Sequence, residues 1–349
     1  IYALASEAKK DDQIDKVLKR YEDLSKHIRV EYVNPSTKPY FYQDYTDTAP
    51  AQNSLIVVSG KRSKVIDYYD IYHYESNMDY SSYSYTNDLV GFDAEGQLTS
   101  AIEYVTMEAD DLPVIYQITG HDEGTLGSEF QTAVEKANMS LSSIELLNEE
   151  SVPDDASAII INAPQKDFNE ADAKKVIDYL KAGGKAIIIG SYTDTDMPNF
   201  DSILETYNVQ FTKGVISEND AQHYYKMGGP FYLLPEVNSG DYTTNIGGNY
   251  VYVPATLGIT YPDSNSDSDT ESDSEESDKI TYTSLMDTTD QSVAKNDPNN
   301  MSDYAFEDGD DKGPFSVGLA VEQTVDDNTT QIVVFGSPYI FSDDASQLT

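Results

Sequence analysis

An α/β chain organised around a parallel sheet is the fold class this sequence predicts, and three observations predict it. Between Pro113 and Gly190, apolar runs of four to six residues alternate with helical stretches of ten or more, the order of βαβ units. The runs at 114–118, 158–161 and 185–190 are continuous rather than alternating, as when helices cover both faces of a sheet. The first of them ends in the polar turn Thr119-Gly120-His121-Asp122-Glu123-Gly124, and the second in Asn162-Ala163-Pro164. Ligands and partners of such sheets meet the carboxyl ends of the strands, where both turns fall.

Upstream of this unit, residues 1–6 read as a strand. Residues 11–25 read as an amphipathic helix, with Ile14, Val17, Leu18, Tyr21 and Leu24 at i, i+3, i+4, i+7 spacing. Residues 28–33 form a second strand that stops at Asn34-Pro35, and 55–58 and 64–67 flank Ser59-Gly60-Lys61 as a hairpin. Strand, helix, strand and hairpin make a thioredoxin-like order. Its redox form needs C-x-x-C where the first helix starts, and Glu7-Ala8-Lys9-Lys10 stands there, so thiol chemistry is excluded. Tyr68, Tyr69, Tyr72, Tyr74, Tyr80, Tyr83 and Tyr85 crowd the next stretch. They read either as an edge strand followed by a polar loop or as an aromatic platform for glycans or a protein partner. Residues 95–107 form a second amphipathic helix (Leu98, Ile102, Val105) that links two domains, 1–94 and 112–349, through 95–111.

Within the second domain, helices are expected at 127–138 and 169–181, the latter closed by Gly183-Gly184, and a strand at 142–147. After Gly190 come a short helix at 199–207, a strand at 209–211 and a loop-rich section with glycine turns. Strands at 279–285, 313–321 and 331–336 complete the sheet. The acidic stretch at 262–278 is low-complexity Ser, Asp and Glu that cannot bury a core, and a disordered loop is expected there.

Composition narrows the function classes. The chain has 349 residues, long enough for two domains, and 22 basic against 62 acidic residues give a net charge of −40. That opposes binding to a phosphate backbone, so nucleic acid is excluded as a partner, and direct adhesion to anionic lipid is disfavoured. Cysteine is absent, which removes disulfides, thiolate nucleophiles and Cys-ligated zinc together. No run of 18 apolar residues exists. The chain opens at Ile1 inside a strand and without an initiator Met, so a longer parent is expected, and the missing span says little about that parent.

The usual catalytic motifs are missing: there is no G-x-x-x-x-G-K-[ST], no G-x-G-x-x-G and no G-x-S-x-G. Asp263, Asn265 and Asp267 match the first ligand positions of a calcium loop, but Ser268 and Ser274 stand where Gly and Glu are needed, so a solvated loop is expected. Of the four histidines, His27, His73 and His223 lack a partner at ligand spacing. His121, beside Asp122 and Glu123 at a strand-to-helix handover, is the one candidate for a base, a ligand or a structural turn. Metal binding there lacks a second His or Cys at fixed spacing.

The segment Ile115-Tyr116-Gln117-Ile118-Thr119-Gly120-His121-Asp122-Glu123 resembles the strand-turn "(Y)xxTGHGE" of the GldG-like auxiliary proteins of ABC transporters, with Asp122 in place of the pattern's second Gly. Val152-Pro153-Asp154-Asp155-Ala156, Asn162-Ala163-Pro164-Gln165-Lys166-Asp167 and Asp178-Tyr179-Leu180-Lys181-Ala182-Gly183-Gly184-Lys185 are similar to the same family. So are Leu18-Lys19-Arg20-Tyr21 with Val30-Glu31-Tyr32-Val33-Asn34-Pro35, and the later Gly313-Pro314-Phe315 and Val333-Val334-Phe335-Gly336-Ser337. The resemblance implies a flavodoxin-like second domain, related to class I glutamine amidotransferases but without their Cys-His pair. It implies a non-catalytic, extracytoplasmic subunit held at the cell membrane by transmembrane segments outside these residues, with an ABC permease and ATPase as partners. No catalytic residue, cofactor or metal is expected, and Thr119, Gly120, His121, Asp122, Glu123, Asn162 and Pro164 are the expected ligand or partner contacts. A cell-surface module binding glycans or peptides through the tyrosine-rich region, and a hydrolase centred on His121, are the competing readings.

Overall fold

The computed structural model describes residues 1–60, 62–79, 84–107, 112–244, 246, 250–262, 279–297 and 304–343. Apart from Pro262, the acidic stretch with its calcium-loop positions lies outside the described residues, as do Tyr80 and Tyr83. Two compact units are present: Ile1–Leu112 with Lys136–Asn138, and Pro113–Glu135 with Met139–Thr349.

The first unit contains β1 (Tyr2–Ala3), α1 (Asp12–Leu24), β2 (Glu31–Tyr32), β3 (Leu55–Ser59), β4 (Arg62–Ile66), a one-turn α2 (Tyr68–Ile71), β5 (Tyr72–Asp79), β6 (Ser84–Phe92) and α3 (Ala94–Thr106). Four of its strands form a sheet in the order β2-β1-β3-β4, with β1 and β2 parallel and the other pairs antiparallel. The Asp11 carboxylate starts α1 by accepting from the Gln13 and Ile14 amides, satisfying two of the helix's free donors. Ile14 and Leu18 are buried, but Leu24 is 77% exposed because the helix ends on it, beyond the reach of the core.

The helix expected to link the domains supplies Ala94, Leu98, Ala101 and Val105 to the same core as Ile14, Leu55 and Ile66. The tyrosine-rich stretch is neither an edge strand nor a loop at its start: Asp67 and Asp70 form a reciprocal capping box that launches α2, and a long hairpin of β5 and β6 follows.

The second unit runs β7 (Val114–Thr119), α4 (Ser128–Lys136), β8 (Ser140–Glu145), β9 (Ala156–Asn162), α5 (Glu170–Lys181), β10 (Lys185–Ile189), α6 (Pro198–Glu205) and β11 (Gln210–Ser217). Then come the short strands β12 (Tyr232–Leu233), β13 (Glu236–Val237) and β14 (Val253–Pro254), followed by β15 (Leu257–Thr260), β16 (Ile280–Asp287), β17 (Val293–Lys295), β18 (Asp311–Lys312), β19 (Ser316–Val325) and β20 (Asn328–Phe335). A 12-stranded sheet joins most of them, and it is mixed. Strands β8-β7-β9-β10-β20 are parallel neighbours in that order. From β20 onward every pairing is antiparallel; for β19 and β20 the two-residue turn at Asp326-Asp327 leaves no room for the crossover that a parallel neighbour needs. The residues expected as late strands are thus present, while β15 and β17, each too short to show a period, were not foreseen.

The pleat divides the sheet's apolar residues between two faces. Ile118, Ile159, Ile161, Ile188 and Val334 pack with Val176, Leu180, Phe200 and Ile203 of α5 and α6, whereas Ile115 and Ile160 pack with Val134 of α4. Asn169 caps α5 through the Asp172 amide, and Gly183 ends it at φ +92, a conformation glycine reaches without a Cβ penalty. Among the described residues no helix is long and apolar enough to cross a membrane.

Truncating Ile161, fully buried beneath α5, should cost about 2–5 kcal/mol in denaturant unfolding, whereas Leu24→Ala should stay within about 0.5 kcal/mol. Equal costs would contradict this placement of the core.

Candidate functional site

The direction of chain progression reverses between β7 and β9, since β8 lies on one side of β7 and β9, β10 and β20 lie on the other. A crevice at the carboxyl ends of two such strands is where open α/β sheets hold ligands. The structure brings the expected residues together there: Thr119 to Glu123 follow β7, and Asn162 and Pro164 follow β9. Gly120 at φ +117 and Asp122 at φ +56 fold the chain back; Asp is among the few side chains that tolerate the second value. The turn then crosses the crevice and closes it. Gly124 donates to the Asn162 carbonyl at 2.7 Å, and the Gly124 carbonyl accepts from Asn162 Nδ2 at 2.8 Å and Gln117 Nε2 at 3.0 Å. The His121 carbonyl accepts from the Gln165 and Lys166 amides at 2.9 and 3.0 Å, which binds the β7 turn to the β9 turn directly.

His121 is 8% exposed, and its ring lies in a row with Glu123, Asp172 and Lys175. Its Nδ1 is 2.9 Å from Glu123 Oε1, while Glu123 Oε2 accepts from the His121 amide at 2.8 Å. Nε2 faces Asp172 Oδ2 at 3.9 Å, an electrostatic contact too long for a hydrogen bond. Asp172 is buried and accepts from Lys175 Nζ at 2.9 Å, and the same ammonium donates to the Leu146 carbonyl at 2.6 Å. The Phe168 ring stacks on the imidazole at 3.8 Å and 8°. With both ring nitrogens facing carboxylates and one ring face covered by Phe168, the group is arranged to hold the turn. Asp172, Phe168 and Lys175 were not foreseen; the signal was present in Asn169-x-x-Asp172, a capping pattern that places an acid on the first turn of α5 with Phe168 just before it. Only the rim of the turn meets solvent, where Asp122 and Lys166 pair at 2.7 Å.

Beside the closed crevice, a cavity of about 540 Å³ opens at the carboxyl end of β10, lined by Tyr192, Asp196, Asp201, Phe211 and Lys213 among others. A column of rings leads to it from the turn: His121, Phe168, Phe200 and Phe211, with successive centroids 3.8, 5.9 and 6.4 Å apart. Asp167 occupies the amino terminus of α6, accepting from the Asn199 and Phe200 amides at 3.1 and 3.0 Å. Desolvation at the pocket wall, and then the charges of Glu205, Asp167 and Asp196, push the Asp201 carboxyl up to about 6, although much of that side chain stays open to solvent. The cavity therefore favours hydrogen-bond donors or cations. Its acids follow a strand's carboxyl end in Tyr192-Thr193-Asp194-Thr195-Asp196, a position that marks them in hindsight.

The other expected features are dispersed. His223, read as lacking partners, is 3.3 Å from both Asp220 and Glu236 in the wall of a second cavity of about 850 Å³. Of the tyrosines, Tyr72 is a core residue donating to Asp11 at 2.9 Å, and the rings of Tyr68, Tyr69, Tyr72 and Tyr74 adjoin one another and Phe92 with centroids 4.8 to 6.4 Å apart, Tyr69 and Tyr74 being exposed. Among the described residues no group of three or more His, Asp or Glu is placed to hold a metal ion.

What the fold defines is an α/β protein with a large mixed sheet. No family model and no curated protein matches the chain. Among solved structures it is similar to the IFT52 N-terminal domain (mmIFT52), at 13% identity, 67% of this chain, 90% of that one and a TM-score of 0.46. It is also similar to a ThuA-like protein from Bacteroides uniformis, at 14% identity, 70% of this chain, 90% of that one and a TM-score of 0.37. These likenesses assign neither a family nor an activity.

Two outcomes test the site. Glu123→Gln leaves the His121 ring without its charged partner and should lower stability by about 1–3 kcal/mol, read by chemical denaturation; no loss would remove the clamp. Asp201 has a folded pKa above the usual ~3.9, so its contribution is full below about pH 4 and is lost as pH rises through about 6. Asp201→Asn should therefore gain stability relative to the parent across that window, and a gain independent of pH would refute the assignment.

Proposed function

We propose that the chain is a non-catalytic binding component, the extracytoplasmic auxiliary subunit of an ABC transporter complex, whose contacts lie along the carboxyl edge of the second unit's sheet. One observation carries the non-catalytic part: the switch-point crevice is filled by the chain's own turn, and His121 is held by Glu123, Asp172 and Phe168. What that edge offers to a partner is surface. It carries the Asp122–Lys166 pair, Leu147 at 76% exposure and the mouth of the Asp196–Asp201 cavity. An exposed leucine beside charged groups is the composition of a contact rim and anchor.

The assignment to an ABC complex rests on the GldG-like motifs. The strand order β8-β7-β9-β10-β20, second-first-third-fourth-fifth among the parallel strands, supports the flavodoxin-like reading of the second unit. For the first unit, β2-β1-β3-β4 with one parallel pair supports the thioredoxin-like reading without its redox chemistry. Anchoring at the cell membrane through segments outside these residues belongs to the same proposal.

Affinity recovery of the full-length parent from its own membranes should bring down an ABC permease and ATPase, and Leu147→Asp with Asp122→Lys should reduce that yield. Recovery of neither subunit would sink the proposal.

A further inference from the structure

Among the described residues Lys295 is the only buried lysine, and none of its side chain is exposed. It ends β17, whose antiparallel pairing with β18 sets Val293 against Lys312 and Ala294 against Asp311. One step further, that register carries Lys295 opposite Asp310. The chain reaches Asp310 through a tight turn: its amide donates to the Glu307 carbonyl at 3.1 Å, and Gly309 at φ +103 supplies the left-handed third residue. Two carboxyl groups, those of Glu307 and Asp310, are thereby brought to one amine.

Lys295 Nζ donates to Asp310 Oδ2 at 2.7 Å, to Glu307 Oε2 at 3.2 Å and to the Ala305 carbonyl at 2.8 Å. Asp310 is enclosed as well, with 4% of its side chain exposed. Its Oδ2 also accepts from the Glu307 amide at 3.0 Å, and its Oδ1 accepts from the Asn296 amide at 3.1 Å. Burial disfavours the ammonium, yet its bonds to Asp310 and Glu307 outweigh that and hold it charged above the ordinary lysine range. An ammonium held against a carboxylate contains the atoms of one amide and one water. Lys175, the other lysine drawn inward, lacks this set: its side chain is 19% exposed and meets one carboxylate, that of Asp172.

We propose that Lys295 and Asp310 are joined by a covalent amide bond, formed by the folded chain on itself with Glu307 as proton carrier. A proton first passes from Nζ to Oδ2, giving an amine and a carboxylic acid, a neutral pair whose share rises as water is excluded. The amine attacks Asp310 Cγ and the C–N bond forms. Charge gathers on Oδ1, where the Asn296 amide already donates. Glu307 takes a proton from the nitrogen and returns it to Oδ2, the Cγ–Oδ2 bond breaks, and water leaves. No oxidant, reductant or activating group is consumed. The fixed contact replaces an encounter in solution, and the neutral product ends the cost of two enclosed charges. The bond closes the loop between β17 and β18 in a chain without cysteine. None of these residues carries the contacts proposed above, so either reading can fail alone.

The intact mass of the purified full chain, measured under denaturing conditions, is expected to lie about 18 Da below the sequence mass, the loss of one water. Proteolytic mapping is expected to yield one branched peptide joining the segments that carry Lys295 and Asp310, with Lys175 recovered unmodified. Lys295→Arg, which keeps the charge but cannot form this amide, and Glu307→Gln are both expected to keep the full mass. A parent chain at full mass overturns the proposal, and that measurement needs no variant to fold. So does a branch to Glu307 instead of Asp310, or a deficit that persists in Lys295→Arg, as a succinimide at Asp308-Gly309 would give. A deficit that persists in Glu307→Gln removes the proton carrier.

Discussion

The reciprocal bonds between Gly124 and Asn162 are the constraint on which the second unit's carboxyl edge depends. Two parallel strands of a βαβ fold separate at a switch point, leaving unpaired backbone groups and a crevice at their carboxyl ends. A ligand can fill that gap, or water, or the chain itself. Here the turn after β7 returns two of its peptide groups to β9, one as donor to the Asn162 carbonyl and one as acceptor from its side chain. Because the Asn162 amide group also defines where Gly124 must pass, a Cβ at Gly124 would press on Asn162 Nδ2 at 3.1 Å. A side chain there would have to displace the Asn162 amide that closes the crevice.

Closure of the crevice determines what His121 can be. An imidazole at this place in an open sheet would be a natural base, but a closed turn removes water and leaves each neighbouring charge to be balanced from within. Glu123 and Asp172 are both buried, and two desolvated carboxylates are costly unless cations or donors meet them. The His121 ring and Lys175 stand in alternation with them, and the Asn169 and Asn199 side chains complete the hydrogen bonding of the neighbouring acids Asp172 and Asp167. Such a set holds together or fails together, because removing one member strands the rest.

Much of the second unit's architecture was legible because its strands and helices carry strong local signals. Continuous Ile runs, the Asn169 cap and the Gly183 stop place β9, β10, α5 and the intervening turns within a few residues of where they lie. The turn residues too were legible, since strand ends in such folds are set by sequence order. Their use was not. Whether His121 faces solvent or Asp172 depends on two segments 51 positions apart, and no local pattern encodes their approach. The antiparallel wing was obscure for a related reason: β15 has four residues and β17 three, and their pairing with β11 is decided by tertiary register. In the first unit, the burial of the tyrosines of 68–74 was not legible, because one ring type serves opposite ends, Tyr72 in the core and Tyr69 in water.

The −40 charge connects these details. With so few cations, their placement matters, and at least two lysines are withdrawn to the interior: Lys175 beneath Asp172, and Lys295, fully buried against Asp310, Glu307 and the Ala305 carbonyl. Each anchors a loop whose acids would otherwise repel, as Glu218 does with donors alone by accepting from the Thr289 amide and hydroxyl. The surface left behind is therefore acidic both by count and by the internal use of its cations. The Asp196–Asp201 cavity shares that sign and presents carboxylates next to aromatic groups. An amphipathic cation matches that combination, since the ammonium or guanidinium head meets the carboxylate while its stem covers the ring. Holding Lys175 and Lys295 against internal acids thus leaves fewer cations, Lys166 and Lys213 among them, for the faces a partner would meet.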